Sequence, residues 1–185
     1  MSSAFDPFIG VALLARGDKE GLARFGATQQ AFLSSLAPLL AFPVVGFLLQ
    51  VLTGDWLRGA AALLVAVVAL LAPPVLSHAL AVRWGRGEPW LRYATAFNWC
   101  QWAVPLAAVA LLVLLRFAAA FGLPDTAAVR LLILGLAGYG LWLHWTIARH
   151  GLSLSRWRAA GLVLLVNSGT VGLMLGPALL VMLLG

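Results

Sequence analysis

The side chains able to do chemistry in this chain of 185 residues are few, and almost all that lie inside its long apolar runs are uncharged. His78 lies near the end of one run. Asn98 and Gln101 stand one helical turn apart in the next, on one face with Thr95. His144 is near the end of a later run, and Asn167, Ser168 and Thr170 are near the middle of the last. Polar groups in hydrocarbon are costly, so each invites a functional reading. At about 1.5 Å of rise per residue, His78, Asn98, Gln101 and His144 share a depth. With Asn167 they can line a polar cavity for a small ligand or a lipid headgroup. The same residues can instead hydrogen-bond one another across helix contacts, each contact contributing roughly 0.6–2 kcal/mol. Both roles are open at the level of sequence.

Catalysis has little support. The acids Asp6, Asp18, Glu20, Asp55, Glu88 and Asp125 all fall in loops or the N-terminal segment, so no Ser–His–acid arrangement forms. A phosphate loop and a dinucleotide fingerprint are missing. Histidines without a carboxylate or a nearby thiol make a poor metal set. The one cysteine, Cys100, excludes an internal disulfide. No catalytic residue, metal or cofactor is therefore expected. Mid-run charges of the kind that serve proton pumps, cation transporters and voltage sensors are also missing.

The elements that must position these residues are membrane-spanning helices. Hydrophobic residues make up 63% of the chain and charged ones 10%, against roughly 25% charged in a soluble domain. Five runs reach the roughly 20 residues that cross a bilayer: 31–53, 59–82, 91–115, 127–148 and 159–184. The expected fold is an all-α, polytopic transmembrane bundle of about five spans. Residues 1–28 form a separate segment. In it, Asp6-Pro7 suits a helix start and Phe8–Ala15 suits a short interfacial helix, with Asp18 starting a second one to Phe25. The connecting loops are short, so consecutive spans should be antiparallel neighbours.

Lys and Arg set the orientation. Nine of the twelve (Arg16, Lys19, Arg24, Arg83, Arg86, Arg92, Arg149, Arg156 and Arg158) share a side with the N-terminus, and Arg58, Arg116 and Arg130 take the other. The N-terminus is therefore expected in the cytoplasm and the C-terminus outside. All tryptophans but Trp56 fall toward the same side as the nine cations, which suggests a crowded cytoplasmic half. The net charge of +6 is scattered over run ends rather than gathered in a stripe, so nucleic acid is not an expected partner. Ser168, Gly172 and Gly176 form a small-residue ridge that lets a second helix approach. That helix is either the fourth span, through Ala137, Gly140, His144 and Ala148, or a second copy of the chain. Pro38, Pro43, Pro73, Pro74, Pro105 and Pro177 are expected to bend their helices.

Three stretches carry a family resemblance: Gly21–Phe25 running into Phe32–Leu36, then Phe97-Asn98-Trp99-Cys100-Gln101, then Leu141–Trp145 with Ala148–Leu152 and Arg158–Ala160. With five spans and a cytoplasmic N-terminus, they resemble the bacterial branch of the Yip1-like membrane proteins. The resemblance implies a five-span, noncatalytic integral membrane protein and brings no catalytic residues with it. The eukaryotic relatives are linked to Rab GTPases through a much longer soluble N-terminal region, so that role does not carry over. The expected setting is a bacterial inner membrane, in line with an Arg-dominated basic set. The expected partners are membrane lipids and a further membrane protein or copy of the chain. The alternative function is a transporter or channel subunit built around the uncharged polar cavity.

Overall fold

The computed structural model describes residues 6–184, with side-chain surroundings through residue 176. The described residues form helices α1 (Pro7–Leu14), α2 (Gln29–Leu52), α3 (Trp56–Arg83), α4 (Trp90–Cys100), α5 (Ala103–Ala120), α6 (Asp125–Gly151) and α7 (Arg156–Leu184). A 3-10 turn at Lys19–Arg24 lies between α1 and α2, and no strand occurs among the described residues. Five helical units are long and apolar enough to cross a membrane: α2, α3, α4 with α5, α6 and α7. Only 6% of the apolar stretch of α6 and 22% of that of α7 is buried inside the protein. The remaining apolar surface requires lipid around it.

The third span differs from the single run expected over 91–115. It extends to Ala120 and is broken into α4 and α5. Pro105 has no N–H to give the Gln101 carbonyl, and its ring crowds that carbonyl. The chain responds with tighter bonds at the break, Gln101 N to Asn98 O at 3.3 Å and Trp102 N to Trp99 O at 3.2 Å. Arg116 does not end the span, because a long cationic side chain near a helix end can reach the surface.

Five helix ends share one closure. The N–H groups of Asp18, Asp55, Arg86, Leu123 and Leu154 donate to the carbonyls of Leu13, Gln50, Ala81, Ala118 and Arg149. Each needs a left-handed residue just before the donor. Gly17, Gly54, Gly85 and Gly122 supply it at four ends, and Ser153, at φ +50°, supplies it at the fifth.

Helix α4 sits at the centre, packed by α1, α2, α3, α6 and the 3-10 turn. Tyr93, Ala94, Thr95 and Ala96 are buried in succession. Four consecutive residues cover a full turn, so every face of α4 is occupied. Beyond the bend, α5 leaves this position and runs along α6. The remaining long contacts join α2 to α3, α3 to α7 and α7 to α6. The core therefore lies at one end, the crowded end, where Leu14, Phe25, Tyr93, Ile147, Leu152 and Leu162 meet.

The N-terminal segment is part of that core. Asp6 caps α1 by accepting from Phe8 N and Ile9 N, both at 3.2 Å, and Asp18 accepts from Glu20 N at 2.9 Å. Because α1 carries no polar side chain, it has no face to offer water. It packs instead against α4 and α6. The Phe8 ring meets Trp99 edge-on at 5.8 Å, and the Tyr139 hydroxyl donates to Ala15 O at 3.3 Å. A Cβ on Gly10 would lie 2.6 Å from the Phe25 ring, so that contact needs glycine.

Candidate functional site

Three hydrogen-bonded groups tie α4 to its neighbours. In the first, Asn167 on α7 donates through Nδ2 to its own helix at Val163 O, 2.7 Å away. That bond fixes the amide orientation, since a carbonyl cannot donate. The second Nδ2 proton faces Nδ1 of His144 on α6 at 3.1 Å. Nδ1 must therefore accept, so the imidazole is neutral and carries its proton on Nε2. Nε2 in turn donates to the Tyr93 hydroxyl on α4 at 2.9 Å. The Phe97 ring packs on the imidazole at 4.5 Å, and His144 is only 4% exposed.

The second and third groups use serine as an adaptor. Ser35 gives its proton to Phe32 O at 2.6 Å and accepts from Asn98 Nδ2 at 2.9 Å, joining α2 to α4. Ser77 gives its proton to Pro74 O and accepts from Trp90 Nε1, both at 3.1 Å, joining α3 to α4. A serine bonded to its own helix keeps lone pairs for a neighbour.

Of the five residues singled out in the sequence, only His144 and Asn167 are hydrogen-bonded to each other. Asn98 is buried against Ser35. His78 is exposed, its ring edge-on to Trp90 at 4.6 Å. Gln101 is exposed at the bend. Sequence reasoning missed Tyr93, Ser35 and Ser77. Their signal was a hydroxyl within or beside an otherwise apolar run.

A cavity of about 130 Å³ opens beside the first group, between the α4–α5 bend, α6 and α7. Gln101, His144 and Asn167 supply its polar lining, and Phe97, Cys100 and Val104 are among its apolar walls. Counting twenty residues inward from the Ala120 end of α5 reaches Gln101, and from the Asp125 end of α6 reaches His144. Twenty residues correspond to about 30 Å, the thickness of the hydrocarbon core. A bilayer whose far boundary lay at those helix ends would have its near boundary at the cavity. Of the small-residue ridge, Gly172 and Gly176 have open space where a side chain would go, as does Gly140 on α6. The close approach of α7 is made elsewhere: a Cβ on Gly169 would lie 2.9 Å from Leu76 of α3.

A larger surface cavity of about 250 Å³ lies at the crowded end, lined in part by Glu88, Arg92, His150 and Ser153. Among the described residues no group of three or more His, Cys, Asp or Glu side chains is gathered. Comparison of the chain with protein-family models, with curated proteins and with solved structures finds no match.

Proposed function

We propose that the chain is a noncatalytic membrane scaffold that presents a partner-binding surface, in the manner of the Yip1-like proteins it resembles. One observation carries this reading: most of the polar side chains at α4 are consumed in holding helices together. Asn98 is taken by Ser35, Trp90 by Ser77, and His144 by Tyr93 and Asn167. An interlocked arrangement suits a fixed framework better than a path for solutes. The setting we propose is a bacterial inner membrane with the crowded end and N-terminus in the cytoplasm, supported by the nine Lys and Arg residues on that side.

The alternative, a transporter or channel subunit, draws support from the cavity beside Gln101 and Asn167. One experiment separates the two. Photoreactive residues placed at the exposed Val113, Phe117 and Leu134 in native membranes should yield a discrete protein adduct, while purified chain in proteoliposomes should carry no solute flux. Flux that disappears in Gln101→Leu, with no protein adduct, would overturn the scaffold reading in favour of transport.

A further inference from the structure

We infer that the cavity at the α4–α5 bend binds the uncharged head of a neutral glycerolipid, one with a free hydroxyl such as a diacylglycerol. The inference does not depend on the scaffold reading.

The space comes first. One trapped water needs roughly 10–15 Å³ of such a cavity, and about 130 Å³ is present. The site has room for a multi-atom group. Its walls carry no Asp, Glu, Lys or Arg. The one titratable ring, His144, has both nitrogens engaged, Nδ1 accepting from Asn167 and Nε2 donating to Tyr93. A phosphate seated here would find no counter-charge, and an uncompensated charge in such surroundings is strongly disfavoured.

The remaining hydrogen-bonding capacity defines what fits. Both protons of Asn167 Nδ2 are used, which leaves Oδ1 as an acceptor. The Gln101 side chain makes no hydrogen bond among the described residues, so it offers an acceptor and two donors. A hydroxyl both donates and accepts and matches this pair. The depth fits as well. Gln101 and His144 lie about 30 Å from the opposite helix ends, where a lipid's glycerol meets its chains. A route for the chains is present: Gly140, on the cavity wall, has open space above it, and α5 follows α6 rather than closing over α7.

The test uses the full chain, purified and stripped of lipid, then titrated with dioleoylglycerol, dioleoyl phosphatidic acid and dioleoyl phosphatidylethanolamine. Bound lipid is read by native mass spectrometry. Dioleoylglycerol should bind at least about tenfold more tightly than either phosphate-bearing lipid, a difference readily resolved as affinity. Gln101→Leu removes the free amide and should weaken dioleoylglycerol about tenfold. Gly140→Leu fills the route for the chains and should abolish retention. Both changes fall on positions with space around them, so the melting temperature of the lipid-free protein should stay at its wild-type value and report an intact fold. Equal binding of all three lipids, no lipid retained at all, or variants that bind dioleoylglycerol as wild type does would each overturn the proposal.

Discussion

The two ends of this bundle are built on different principles. At the crowded end, α4 is enclosed on every side, and small or hydrogen-bonded residues stand among the large apolar ones at its contacts. Ala81, Ala96, Ala148 and Ala159 are fully buried, and Ser35, Ser77, Asn98, His144 and Tyr93 are bonded across helices. At the open end, Leu52, Leu57, Leu114, Phe117, Phe121 and Leu134 stand exposed on α2, α3, α5, α6 and the turn after α5. Lipid chains are as apolar as leucine, so large aliphatic side chains gain little by leaving lipid for a neighbouring helix. Close packing and polar contacts do provide a gain. Helices therefore converge where small and polar residues occur and separate where only large apolar ones remain.

The sharpest way to break this comparison is to truncate one aromatic at each end. Tyr93→Ala should cost about 3–5 kcal/mol of unfolding free energy, as for a buried aromatic, while Phe117→Ala should stay within about 0.5 kcal/mol. Unfolding both variants in the same micelle checks this, and similar losses would remove the distinction. Overfilling gives the next largest effect. Ala148→Leu, at a position with no exposure, should destabilise by about 1–3 kcal/mol, whereas Ala110→Leu on exposed α5 should be near neutral.

The polar contacts are tested by a double-mutant cycle on Asn98→Ala and Ser35→Ala, where a coupling of about 0.6–1.7 kcal/mol is expected. Strict additivity would mean that this bond contributes nothing to holding α4 on α2. The smallest effect concerns the turn after α6. Ser153→Gly should stabilise by about 0.5–1 kcal/mol by relieving a side chain in the left-handed region, while Gly54→Ala at the equivalent position after α2 should lose a similar amount. Thermal melts of the two variants, shifted in opposite directions, would show that one closure operates at both ends.

Much of the fold was legible in the sequence. The five spans, their loops and the Asp6 and Asp18 caps could all be read locally, because each depends on a segment and its immediate flanks. The third span was legible as a run but not as two helices. Pro105 announces a bend, yet where the axis goes afterwards depends on what packs against it. The candidate site was legible in its ingredients and not in its pairing. His78, Asn98 and Gln101 were expected at one depth and find three different surroundings, and the serines that complete two of the three groups look unremarkable inside apolar runs.

What the sequence determined by itself is the set of membrane-spanning helices and the concentration of tryptophan and polar residues toward one end. A bilayer imposes length and polarity on each segment separately, so these features need no knowledge of neighbours. What only the tertiary structure decided is which polar group meets which. Asn98 bonds a serine 63 residues away. Asn167 fixes the tautomer of His144 from a different helix, and α1 becomes part of the core by lying against α4 and α6. Those outcomes depend on complementarity between surfaces far apart in the chain, and no local pattern encodes them.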